Sequence, residues 1–219
     1  MRHAPDWFPS WAGETVVIVA SGPSAKDQPL ELARGKTRFI AINTSWQLCP
    51  WADMLYGCDF GWWKAYDGCP EFKGLKVTID RRASDRQEHP DWGVFHLRCE
   101  KNTDKLLLEP KGLLGWGSHS GFGALNIAAQ LDVKNIILVG FDMSLDVAAH
   151  WHGVHPDRMG NPRQSQLHRW RTSMDRAAPI LAEAGITVYN CSPLSALTKY
   201  QKVTFAEALG ECSVEPFDS

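Results

Sequence analysis

Apolar and polar positions alternate along this chain in blocks of two kinds. Thr15-Val16-Val17-Ile18-Val19-Ala20 is an unbroken, mostly β-branched run, the pattern of a strand buried on both faces of a parallel sheet. Asn135-Ile136-Ile137-Leu138-Val139-Gly140 is its equal later in the chain. Arg38–Ile42 and, more weakly, residues 52–56, 75–79, 94–97 and 186–189 predict further strands. Between them the period lengthens. Ser120 is placed to cap a helix over 121–131, with Leu125, Ala128 and Leu131 on one face. A longer helix is expected over 163–184, terminated at Gly185 and kinked or split at Pro179. Thr204-Phe205-Ala206-Glu207 has capping-box spacing and predicts a last helix. Strands alternating with helices specify an α/β fold, a Rossmann-like and mostly parallel sheet flanked by helices. No repeat or linker interrupts it, so residues 1–219 read as a single domain. The least regular stretch, 80–117, is expected to form an insertion or lid.

Composition narrows the picture. A chain of 219 residues that is 44% hydrophobic can bury a substantial core, which excludes a disordered or fibrous class. Lys plus Arg number 23 against 25 Asp plus Glu, a net charge of −2. That balance argues against holding duplex DNA mainly by phosphate neutralisation, although it leaves room for a local basic patch. No apolar stretch follows the first positive residues, and the longest apolar runs are far short of the ~20 residues a membrane span needs. Cys49, Cys58, Cys69, Cys99, Cys191 and Cys212 include no C-x-x-C pair. They read as reduced thiols of a cytoplasmic protein rather than a disulfide framework or a zinc site.

Ligands of open α/β sheets bind beyond the carboxyl ends of the strands. The first strand runs into Ser21-Gly22-Pro23-Ser24, where small residues and free N–H groups suit a phosphate. An ordinary strand-to-helix turn would look the same, and the segment is neither a Walker loop nor G-x-G-x-x-G. A β-branched residue at Gly22 is expected to block ligand approach while leaving the fold intact. The second strand ends at Asn43, an amide able to read a base or sugar edge. Gly117-Ser118-His119-Ser120-Gly121 leads into a helix N-terminus and offers another anion or sugar seat, or a plain glycine-rich cap. Asp142 ends the strong later strand. The loop His150-Trp151-His152-Gly153-Val154-His155 is rich in imidazole; substrate contact is the favoured reading over a metal site. Ten tryptophans are mostly packing or lid residues, with Trp62, Trp63 and Trp116 next to turns where a ring could stack on a base.

The order of these strand ends resembles the bacterial CMP-sialic-acid-dependent sialyltransferases of glycosyltransferase family 42. That family's opening Gly-Asn-Gly-Pro-Ser turn matches Ala20-Ser21-Gly22-Pro23-Ser24, and its nucleotide-contacting Asn matches Asn43. Its Thr-Ser-Gly matches His119-Ser120-Gly121, its Ser-Gly-Ile-Asp-Phe matches Val139-Gly140-Phe141-Asp142-Met143, and its closing Leu-Tyr-Cys-Leu-Cys-Pro resembles residues 188–193. The likeness spans roughly residues 15–195 and rests on short motifs in a shared order.

The resemblance implies a nucleotide-sugar-binding domain in which Ser21, Gly22, Pro23, Ser24, Asn43, Ser120, Gly121 and Asp142 seat the nucleotide. An ungapped count back from Pro193 puts the family's general-base histidine at His168. The first-turn Asn is Ser21 here, and the tyrosines that steady the leaving phosphate fall near Ser144 and His150. His150 or His152 would then take over that stabilisation. The expected activity is transfer of a sugar from a nucleotide-activated donor, CMP-linked by the resemblance, to an acceptor hydroxyl on a glycan or a hydroxymethylated nucleobase. No other cofactor is expected. No Asp-x-Asp occurs, so a metal-dependent donor site is not expected either. Nucleic acid enters only as an acceptor, and self-association stays open. Two other readings remain: pterin-diphosphokinase-like phosphoryl transfer with Mg²⁺ on Asp59 and Asp142, and a nucleotide-binding module without catalysis.

Overall fold

The structure, a computed structural model, describes residues 4–146, 148–153 and 161–214. Its strands in chain order are β1 (Thr15–Val19), β2 (Arg38–Ile42), β3 (Met54–Tyr56), β4 (Leu75–Thr78), β5 (Val94–His96), β6 (Arg98–Glu100), β7 (Leu113–Gly115), β8 (Asn135–Val139), β9 (Thr187–Asn190) and β10 (Gln201–Lys202). The α-helices are α1 (Phe60–Ala65), α2 (Ser120–Gln130), α3 (Gln164–Glu183) and α4 (Phe205–Glu211). Eight strands form one sheet in the order β10-β9-β8-β1-β2-β3-β4-β5, and every pairing in it is parallel. β6 and β7 make a separate two-stranded ribbon. The chain is thus α/β and Rossmann-like, as its hydrophobic pattern predicts.

The two strongest apolar runs pair with each other at the sheet centre, β1 against β8 from Thr15↔Asn135 to Val19↔Val139. Their side chains alternate between two cores. Val16, Ile18, Ile136 and Leu138 pack on the face covered by α2 and α3, while Val17, Val19, Ile137 and Val139 face the opposite layer. On that second face the connections after β1 and β2 are short 3-10 turns (Pro23–Asp27, Leu30–Ala33 and Asn43–Leu48) rather than full helices. Large rings fill the layer instead. Trp46, Trp62, Trp63, Phe72 and Trp92 are all buried there. Trp63 is wholly buried and Trp62 nearly so, though it also borders the cleft described below; their indole N–H groups donate to the Gly57 carbonyl and to Thr44 Oγ1.

Two sequence expectations change. His119, not Ser120, caps α2, its Nδ1 accepting the Phe122 N–H at 3.3 Å, because its extended backbone turns the ring back over the first turn. α3 runs unsplit through Pro179, anchored by the buried Met174, Ala177 and Leu181. The predicted strand within the irregular stretch is β5 of the main sheet, and the part from Leu107 to Gly115 is tied to α2 by two amides with no appreciable exposure. Asn126 accepts from the N–H groups of Leu107 and Gly115 and donates to the Leu107 carbonyl. Gln130 accepts from the Gly112 N–H and donates to the carbonyls of Leu107 and Leu113. All six cysteines are free thiols. Among the described residues no helix is long and apolar enough to cross a membrane.

Candidate active site

Chain order in the sheet reverses between β1 and β8, the switch point at which open parallel sheets leave a crevice. A cleft of about 1160 Å³ opens at these carboxyl ends. It is lined by Ser21 and Gly22 after β1, Asn43 after β2, Cys58 and Asp59 after β3, Gly140 to Met143 after β8, and Ser118 to Gly121 at the start of α2. Gln166, Leu167 and Trp170 of α3 close one side, and Arg81, Arg82, His96, Arg98, Lys101 and Trp116 form the far wall.

Backbone strain concentrates here. Asn43 (φ 49°), Ser118 (φ 61°) and Met143 (φ 53°) all hold left-handed conformations and all line the cleft. So do unpartnered polar atoms. Asn43 Oδ1, Ser118 Oγ, His119 Nε2 and Asp142 Oδ1 are buried without a hydrogen-bond partner. Buried polar groups are nearly always paired, so four of them among the cleft's lining residues suit it to a polar partner.

The remaining contacts position these groups. Asp142 Oδ2 accepts from the Ser24 hydroxyl at 2.9 Å and from the Ser24 N–H at 3.2 Å. Burial nonetheless raises the Asp142 pKa above the ordinary carboxylate value. A Cβ on residue 22 would collide with the Asp142 carboxylate and the Gly140 carbonyl. Gly22 is therefore required by the protein's own packing, and a β-branched residue there would disturb the fold instead of leaving it intact. Ser120 Oγ donates to Cys58 Sγ at 3.0 Å, and the thiol donates to Asp59 Oδ2 at 3.3 Å. Burial, with Asp59 adding to it, pushes the Cys58 thiol up and keeps it protonated. Burial also pushes the His119 imidazole down to about 3, and its ring lies 5.2 Å from that of Trp170.

Of the residues singled out from sequence, Ser21, Gly22, Asn43, Ser120, Gly121, Asp142 and His150 meet in this cleft. Pro23 and Ser24 do not line it: Pro23 opens a 3-10 turn, and the Ser24 hydroxyl is occupied by Asp142. His152 stacks on His150, rings 5.1 Å apart at 10°, and lies outside the lining. Their loop is pinned to the first turn, Trp151 N–H donating to the Ser21 carbonyl and its indole to Ser45 Oγ. His155 lies outside the described residues. His168 is exposed on α3 and absent from the lining. At 3.6 residues per turn it points about 100° round from Leu167, which does face the cleft.

Sequence reasoning missed Cys58, Arg81, Arg98 and Trp170 as cleft residues. Cys58 sits between Gly57 and Gly61, but a lone cysteine there gave no chemical signal, and for Arg81, Arg98 and Trp170 topology alone gathers them. No group of three or more His, Cys, Asp or Glu is arranged to hold a metal ion among the described residues.

No family model and no curated protein matches the chain. Among solved structures it is similar to the sialyltransferase CstII from Campylobacter jejuni in complex with the substrate analogue cytidine-5'-monophosphate. That match has 12% identity and a TM-score of 0.49, covering 92% of this chain and 98% of the other. It is likewise similar to the sialyltransferase CST-II in complex with trisaccharide acceptor and CMP, at 13% identity and a TM-score of 0.46, covering 91% and 99%.

Proposed function

We propose that this chain is a glycosyltransferase-like enzyme that binds a nucleotide-activated sugar in the cleft and transfers the sugar to an acceptor hydroxyl. The observation that carries this reading is the convergence of Asn43 Oδ1, Ser118 Oγ, His119 Nε2 and Asp142 Oδ1, all unpartnered, at the carboxyl ends of a Rossmann-like sheet. Four of the five motifs that resemble the family 42 sialyltransferases, all but residues 188–193, contribute to that same lining. In this reading the Ser21–Gly22 turn and the start of α2 hold the donor phosphate, and Asn43 reads the nucleoside. A base takes the acceptor proton while the acceptor oxygen bonds to the anomeric carbon. The anomeric C–O bond breaks with its electron pair going to the departing phosphate. We assign the base to His150, because it lines the cleft and His168 does not.

Melting temperatures with CMP, UDP, GDP and ATP test the donor seat. One nucleotide at 100 times its dissociation constant should add about 2.7 kcal/mol, and Asn43→Ala should remove that gain. With the matching donor, His150→Ala should lower kcat by ~10²–10⁴-fold and His168→Ala should not. Absence of any nucleotide response would overturn the reading. Asp59 and Asp142 both line the cleft, which keeps Mg²⁺-assisted phosphoryl transfer as the second reading.

A further inference from the structure

The far wall of the cleft carries more positive charge than the site described above uses. Arg81 follows β4, and Arg98 and Lys101 lie on and just after β6; all three line the cleft with Arg82. Asp80 is the wall's own carboxylate, and Arg82 holds it at both oxygens, Nε to Oδ1 at 3.0 Å and Nη2 to Oδ2 at 2.7 Å. Glu100 is outside the lining, its Oε1 accepting from the Asn102 N–H. Neither Arg81 nor Arg98 has an ion-pair partner among the described residues. Lys101 sits over the Trp116 ring, 5.2 Å from its centroid. The half-buried His96 lines the same wall within electrostatic reach of Arg81 and Arg98. Burial first, then Arg81 and Arg98, lowers its pKa, with Asp80 acting the other way. Like charges gathered around a partly desolvated ring leave an electrostatic vacancy that an anion fills.

A donor phosphate held at the Ser21–Gly22 turn, as in the reading above, lies well short of Arg81. Sheet order puts β4 three strands from β1, ~14 Å at the usual strand spacing. A group next to the Ser21–Gly22 turn is therefore one sugar or more away from the turn that carries Arg81. We propose that Arg81, Arg98 and Lys101, with His96 beside the two arginines, form a second anion subsite that holds a phosphate borne by the acceptor. Arginine suits this role because its fork donates two parallel hydrogen bonds to phosphate oxygens. Arg81 and Lys101 are exposed, so the subsite opens to solvent. It can receive the phosphate of a mononucleotide or a phosphodiester in a single strand. The subsite rests on the glycosyltransferase reading for the word acceptor, but its anion affinity does not.

Two probes separate these sources: a fluorescein-labelled single-stranded 10-mer deoxyoligonucleotide followed by anisotropy, and unlabelled dCMP and dTMP as competitors. Wild-type protein should bind the 10-mer, and Arg81→Gln with Arg98→Gln together should weaken it at least tenfold. Full displacement of the 10-mer by a saturating mononucleotide assigns the subsite to a free phosphorylated acceptor; displacement only by unlabelled strand assigns it to a polymer. The doubly substituted protein should keep the melting-temperature gain from the donor nucleotide. Loss of that gain in parallel would place the arginines in the donor seat and overturn the proposal. So would wild-type protein that binds neither probe, or a double variant that binds like wild type. A missing donor response with intact, arginine-dependent probe binding would instead count against the glycosyltransferase reading alone.

Discussion

His119 accepts the Phe122 N–H through Nδ1, which leaves Nε2 as the protonated nitrogen and the ring neutral. Protonation would break that cap and put a charge in a desolvated place. The unfolded chain takes up the proton near the ordinary imidazole pKa of ~6.5, whereas the folded one resists until about 3. His119 thus contributes its full stabilisation above the unfolded value and loses it as pH falls toward the folded one. Replacing it with Asn keeps an N-cap acceptor and removes the titration. His119→Asn should lose less stability than wild type between pH 7 and pH 5, by on the order of 1 kcal/mol, in paired thermal melts. Identical pH dependence in the two proteins would contradict the buried neutral ring. Asp142 runs the other way. Its raised pKa means that its contribution is complete below the ordinary carboxylate value and declines as pH rises through the folded one.

Among elements, the attachment of the 80–117 stretch to α2 is the most exposed to a single change. Asn126 satisfies three backbone groups of that stretch, and each buried group left without a partner costs about 1–3 kcal/mol. Asn126→Leu keeps the volume and removes the bonds, so chemical denaturation should show a loss of roughly 2–4 kcal/mol. An unchanged midpoint would mean that the stretch is held by packing alone. β1, β2 and β8 were legible because each holds at least four consecutive apolar residues, several of them β-branched, with no competing period. β6, β7 and β10 span three, three and two residues, too short for alternation to register. Glycine and hydroxyl signatures led to Ser21 and Ser120, and an amide at a strand end led to Asn43. They did not lead to Arg98 or Cys58, whose place in the cleft depends on strand order. His168 shows the converse, since counting along a chain finds a position on a helix without telling which face it presents.

For the molecule as a whole, the cleft joins an acidic floor, Asp59 and Asp142, to the cationic wall of the insertion. If turnover draws on that wall and on hydrogen-bond donors at the strand ends, it should survive EDTA. An assay with the matching donor checks this: activity lost on chelation and restored by Mg²⁺ or Mn²⁺ would favour phosphoryl transfer. Restoration by Zn²⁺ alone would point to the histidine loop.

The β1–β8 pairing at the centre of the sheet also has a consequence for synthesis. Thr15 and Asn135 stand 120 residues apart in sequence. At translation rates of about 5–20 residues per second, β1 waits roughly 6–24 s for this partner. Throughout that interval β2 can cover one side of β1, but the other side is an unfilled row of backbone donors and acceptors flanked by valines and an isoleucine. Such an open edge templates the addition of another strand, including one from a neighbouring nascent chain. The strand that makes the finished sheet continuous is thus the chain's main aggregation hazard while it is being made, and holding that edge covered until residue 139 emerges is the natural task of a chaperone.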